Sequence, residues 1–371
     1  MTDDFLDHKL SKREQNNSLR SLHIKKEDLV DFCSNDYLGV VRSRLIEKSA
    51  TPNLPHGSTG SRLLSGNYPL IEATEKLIAG FHQAASGLIY NSGYDANTGL
   101  ISSVPQKDDL ILYDQLSHAS IRDGIRLSFA SAHSFLHNDP EDLESRLKAA
   151  GGHRQKFVVT ESVFSMDGDL APLIPISLLC EKYNAALIVD EAHATGVIGT
   201  KGEGLVQQMN LQKKCFARIH TFGKACGAHG AIILGSEKLK KYLINFSRQL
   251  IYSTSLPPAS VEAIKISYDC FPAMDKQRER INELVAIFQG SALSYQILKS
   301  QTPIQVIIIP GNEQVKRIAR ICRDKNFDIR PILYPTVPLG QERLRIVLHA
   351  FNTIEQVHGL INVLNSNATQ P

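Results

Sequence analysis

From about residue 87 the chain repeats one pattern: a short apolar run, a polar or ionisable residue, then an amphipathic stretch. The runs are GLIY at 87–90, DLILYD at 109–114, FVVTES at 157–162, ALIVDEA at 186–192, RIHTF at 218–222 and AIILGS at 231–236. Buried runs of four to six residues, separated by helix-like segments such as 139–150 and 174–186, predict a mostly parallel sheet covered on both faces. About six such strands make one large α/β domain. After Pro257–Pro258 the texture changes. A long helical region from Ser260 precedes IQVIIIPG, a helix near 312–324, DIRPIL, RLRIVLH and a last helix near 353–364. That order predicts a small α+β domain at the C-terminus. With 371 residues, the chain exceeds the ~150 of one average domain. The expected division is an N-terminal segment at 1–36, a large domain at 37–258 and a small domain at 259–371.

Composition removes several classes of function. A net charge of +3 and 21% charged residues lack the concentrated basicity of a nucleic-acid binder. No apolar run approaches the ~20 residues that cross a bilayer. The N-terminus, MTDDFLDHKL, is polar and acidic and does not read as a signal peptide. The six cysteines are scattered, without zinc-site or disulfide-framework spacing. The expectation is a cytoplasmic protein with reduced thiols and neither nucleic-acid nor membrane partners.

In open α/β sheets, ligands bind at the carboxyl ends of the strands. Polar residues stand there after five runs: Asn91–Tyr94, Asp114 and His118, Glu161 and Ser165, Asp190 and His193, Thr221 and Lys224. Each alone suits a plain role, as a helix cap, a surface charge or a turn. Their shared edge makes them informative together. An acid at the end of a buried strand, Asp190, is costly unless a cation meets it. A protonated pyridine nitrogen is one such cation. Lys224, flanked by Gly223 and Gly227, is placed to form an imine, and the stretch 91–97 turns from strand into helix, presenting free N–H groups to a phosphate. A lysine imine with an aspartate on a pyridinium nitrogen is the signature of pyridoxal phosphate (PLP) sites.

The strings DFCSNDYLGV (31–40), GSTGSRLLSGN (57–67), NSGYDANTGL (91–100), DQLSHASIRDGIRLS (114–128), ESVFSMDGDLAPL (161–173), DEAHATGVIG (190–199), TFGKACG (221–227), YSTSLPPA (252–259) and PTVPLGQERLRI (335–346) carry a resemblance. In this order they resemble the α-oxoamine synthases, PLP enzymes of the aspartate-aminotransferase fold. The resemblance runs from about residue 30 to the C-terminus. It implies an acyltransferase with Lys224 as the Schiff-base lysine, Asp190 on the pyridine nitrogen, His193 near the phenolic oxygen and His118 stacked on the ring. It further implies Gly93, Tyr94 and Thr221 at the phosphate, Ser165 beside the ring hydroxyl, and Thr254 donated to the phosphate by the other subunit of a homodimer with shared active sites. Asn35 resembles the asparagine that positions the substrate carboxylate or the new carbonyl. Arg330 stands earlier than the family's carboxylate-binding arginine, with Tyr334 in the aligned place. Arg20 is the counterpart of an arginine that meets the acyl chain's far carboxylate or its CoA. Among the family's branches the motifs resemble that of the biotin pathway, which joins L-alanine to a pimeloyl thioester and releases CO2. The alternative is glycine with acetyl-CoA, or another acyl thioester.

Overall fold

The structure is a computed structural model that describes residues 3–22, 24 and 28–368. Two compact units make up the chain: one comprises 36–165 and 170–278, the other the described residues up to 35 together with 166–169 and those from 279.

The larger unit holds a seven-stranded sheet. Its strands are β1 (Ser86–Tyr90), β2 (Leu110–Asp114), β3 (Ser131–Phe135), β4 (Lys156–Glu161), β5 (Ala185–Asp190), β6 (Cys215–Thr221) and β7 (Ala231–Gly235). The spatial order is β1-β7-β6-β5-β4-β2-β3. Only β7 runs against its neighbours β1 and β6; the other pairings are parallel. Six strands coincide with the apolar runs. The seventh, β3, reads SAHSF, and only Phe135 in it is buried. As an edge strand half open to solvent it needs no apolar run.

Alternation along the central strands decides which side chains meet. Phe157, Val159, Ile188, Ala217 and Ile219 join Ala96, Leu100 and Ile101 of the helix Gly93–Ser103 in one buried cluster. Burying each large apolar side chain contributes about 1.5–3 kcal/mol, so this face is a main source of cohesion. Two residues past Val159, Ile188 and Ile219 come Glu161, Asp190 and Thr221, on the same face. The opposite face carries Arg218 and His220, and its helices include Pro69–Phe81 and Pro258–Cys270. The latter packs against Pro69–Phe81 inside the larger unit. The division therefore falls at 278/279, not at the expected 258/259.

The smaller unit contains β8 (Ile304–Ile308), β9 (Arg330–Ile332) and β10 (Arg343–Val347), antiparallel in the order β9-β10-β8 with Gln296–Ile297 beyond β8. Helices Asn312–Asp324 and Ile354–Ser366 are part of this unit. Val30–Asp31 pairs in parallel with Phe327–Asp328, so the N-terminal segment is part of this unit and no separate element. No helix among the described residues is long and apolar enough to cross a membrane.

Candidate active site

Asp190 ends β5 and is buried. Its Oδ1 accepts the backbone N–H of Ala192 at 2.8 Å, and its Oδ2 accepts from Asn97 Nδ2 at 2.7 Å. Both donors are neutral, and no ion pair reaches this carboxylate among the described residues. A buried anion held only by neutral dipoles is a site for an N–H cation. Asn97 donates as well to Ser120 Oγ at 3.1 Å, which lies 2.8 Å from His118 Nδ1. One hydrogen-bonded chain thus runs Asp190–Asn97–Ser120–His118.

His118 caps the helix Ala119–Leu127. The Ser120 backbone N–H donates to His118 Nδ1 at 3.2 Å, so a neutral ring carries its proton on Nε2. Burial pulls the pKa of this ring below its usual value; the Asp190 charge opposes that shift and the Lys224 charge adds to it. The His118 backbone N–H donates to Glu161 Oε1 at 2.6 Å. Burial, then the Asp190 charge, pushes Glu161 up to about 8, so it keeps its proton at neutral pH.

Lys224 is half-buried in the loop after β6, and its charge reaches both His118 and Glu161. Its carbonyl accepts the Gly227 N–H at 2.8 Å in a tight turn. Gly227 has φ +64° and would drive a Cβ into Val40 at 2.6 Å, so turn geometry and packing require it. Close approach of a ligand, the expected reason for this glycine, is not needed. Gly223 faces open space, with nothing nearer than 3.8 Å.

The helix Gly93–Ser103 starts at Ser92, whose Oγ accepts the Asp95 N–H at 3.0 Å. A Cβ on Gly93 would lie 2.5 Å from Thr221 Cγ2, so only glycine lets the helix start come this near β6. Thr221 is buried, and its hydroxyl donates to the Ala192 carbonyl at 3.4 Å. Tyr94 is half exposed and its hydroxyl donates to Asp123, which raises its pKa. His193 is buried with Nδ1 2.6 Å from the Tyr37 hydroxyl. Ser165 is half-buried in the loop after β4. Thr254 is exposed, and its carbonyl accepts from Asn91 Nδ2 at 2.7 Å.

In the smaller unit, Asn35 Oδ1 accepts from Arg345 Nη2 at 3.0 Å. Arg330 stands directly across from Arg345 in the β9–β10 ladder and pairs with Asp328 at 3.2 Å. Arg20 donates to Thr336 Oγ1 at 2.9 Å. Asn97, Ser120, Tyr37 and Arg345 were not singled out in the sequence. Asn97 had a signal: it lies four residues after Gly93 and so shares its helix face. Arg345 lay in RLRIV, where alternation with buried Leu344 and Ile346 sets it off the core face.

The chain belongs to the class I and II aminotransferase family, whose model matches residues 27–364. It is an enzyme with the fold of the PLP-dependent transferases. It is 40% identical to the 8-amino-7-oxononanoate synthase of Emericella nidulans over 97% of this chain and 94% of that one. A high-resolution structure of serine palmitoyltransferase with its PLP internal aldimine superposes with a TM-score of 0.91, at 25% identity, over 98% of this chain and 97% of that one. The crystal structure of 8-amino-7-oxononanoate synthase from Francisella tularensis gives a TM-score of 0.76 at 27% identity, over 92% and 98% of the two chains.

Proposed function

We propose that this enzyme is an 8-amino-7-oxononanoate synthase, joining L-alanine to the acyl group of a pimeloyl thioester with loss of CO2, in biotin biosynthesis. The cofactor is pyridoxal 5'-phosphate. The observation that carries the reading is the Asp190–Asn97–Ser120–His118 chain beside Lys224, in a sequence 40% identical to a synthase of this name. When bound, the cofactor supplies an electron sink conjugated to the substrate's amino nitrogen.

Each residue has a role its surroundings support. Lys224 holds the cofactor covalently through Nζ; once the substrate amine displaces it, the free amine is the base for the Cα proton of alanine. Asp190, lacking a cation, receives the ring N–H, and Asn97 fixes its Oδ2. His118 presents Nε2–H to the substrate carboxylate over the ring. His193, oriented by Tyr37, serves the phenolic oxygen with Ser165. The Gly93–Tyr94 backbone and Thr221 form the phosphate cradle at a helix start. Asn35 and its partner Arg345 offer an amide and a guanidinium to a carboxylate, a better-supported pair than the salt-bridged Arg330. The enzyme works as a cytoplasmic homodimer in which Thr254 of one subunit completes the other's phosphate site.

The test is a matrix of glycine, alanine and serine against acetyl-, pimeloyl- and palmitoyl-CoA. Alanine with pimeloyl-CoA should give the highest kcat/KM. One methyl is worth only about 1–3 kcal/mol of discrimination, so glycine should be a poor but measurable substrate. Glycine with acetyl-CoA as the best pair would overturn the reading.

A further inference from the structure

The helix Asn312–Asp324 buries Val315, Ile318, Ala319 and Cys322, three and four residues apart. The same period places Lys316, Arg320 and Arg323 on an adjoining stripe. With Arg13, Arg20 and Arg330, these three line a cavity of about 760 Å³ wholly within the smaller unit. No aspartate or glutamate lines it. Arg330 has Asp328 as its ion-pair partner, and Arg20 donates to a threonine. Arg13, Lys316, Arg320 and Arg323 have no acidic partner among the described residues. The Arg323 Nε is buried with no hydrogen-bond acceptor.

Six cations around one space repel each other, and a buried guanidinium N–H without an acceptor is costly. Both costs are relieved by an anion with several charges and many acceptor oxygens, which guanidinium groups bind in bidentate fashion. A simple inorganic anion would leave most of the cavity unfilled. Leu333 and Tyr334 on its wall add apolar and aromatic surface for an organic body. The volume is that of a small-molecule site and is too enclosed a target for a folded partner.

We propose that this cavity is a subsite for the phosphorylated nucleotide end of a coenzyme A thioester. The proposal rests on the acyl-transfer reading above, and it adds the chemical form in which the acyl group arrives.

The experiment is calorimetric titration of the PLP-loaded enzyme with free coenzyme A, in the absence of amino acid. Lys316→Gln and Arg320→Gln should each raise Kd about tenfold, as expected for loss of a charge-assisted contact. Arg317→Gln, which removes an equal charge from the same helix outside the cavity, should leave Kd unchanged. In turnover, both cavity variants should raise KM for the acyl-CoA and leave KM for alanine, and for the same acyl group on pantetheine, as in the parent. Unchanged coenzyme A affinity in both cavity variants would overturn the proposal. So would an equal rise in KM for the acyl-pantetheine, which would make the cavity an acyl-chain site, or weakened binding of an acyl carrier protein alone. Coenzyme A binding that depends on these residues stands even if alanine proves the wrong amino acid. Turnover with alanine and unaltered coenzyme A binding would sink this proposal alone.

Discussion

Two polar clusters lie on opposite faces of the same central strands. On one face, Glu161, Asp190 and Thr221 continue the apolar rows and meet Asn97, Ser120 and His118. On the other, Arg218 Nη2 donates to the His82 carbonyl at 2.6 Å, His82 Nε2 lies 3.0 Å from the Tyr268 hydroxyl, and the His82 and His220 rings sit 3.9 Å apart. Thr195 pairs with His220 at 2.9 Å, while Glu191 accepts the N–H groups of Leu205 and Val206. The residue types are alike, yet the surroundings differ. The first cluster includes half-buried Lys224 and His118, whereas His82, Glu191 and His220 are fully enclosed. Burial pulls both of those histidines well below their usual pKa and pushes Glu191 up to about 7. A polar group held neutral in a closed space serves the fold; one left charged beside an approachable lysine can serve chemistry.

The contrast breaks most visibly at Lys224. Replacing it with alanine should cost turnover by about 10²–10⁴-fold or more, with a thermal midpoint close to the parent's, because the side chain is half-buried and makes chemistry, not core. Asp190→Asn keeps the shape and removes the charge, and should slow turnover by orders of magnitude while some cofactor still binds. Parent-like rates in either variant, measured with alanine and pimeloyl-CoA, would dissolve the distinction between the clusters.

Asn97→Ala should cost activity about 10- to 100-fold, the range for losing a partner that orients a functional group. Its signature is a change in kcat and in the pH profile of kcat, since it frees both Asp190 Oδ2 and Ser120. Gly93→Ala should weaken cofactor affinity, because its Cβ meets Thr221 Cγ2 at 2.5 Å. Thr221→Ser removes that methyl, so the double variant should recover affinity, followed by equilibrium dialysis. A double variant no better than Gly93→Ala would show that the close approach is not what the glycine provides.

The smallest effect belongs to the enclosed cluster. Glu191 has a folded pKa raised to about 7 from 4.5, so between those values the folded chain keeps a proton the unfolded chain has lost. Its contribution is complete below pH 4.5 and declines as pH rises toward 7. The depressed histidines act oppositely: their contribution is present above pH 6.5 and is lost as pH falls below it. Glu191→Gln should therefore make the urea midpoint fall less between pH 5 and 7, with turnover near the parent's. A variant with parent-like stability and lost turnover would move Glu191 into the chemistry.

The sequence by itself determined six of the seven large-sheet strands, because each is a continuous apolar run. It pointed to Lys224, Asp190 and His118, because polar residues at strand ends interrupt those runs. Edge strand β3 stayed hidden because a half-solvated strand carries no apolar signature. Tertiary structure alone decided that Val30–Asp31 pairs with Phe327–Asp328 and that Asn35 meets Arg345, contacts spanning about three hundred residues. It likewise joined Asn97 to Asp190, and it gathered the cations of residues 13–20 and 316–330 around one cavity. Spacing along the chain reports which side chains share a face of one element. Which faces then meet depends on how whole elements pack, and local sequence does not contain that information.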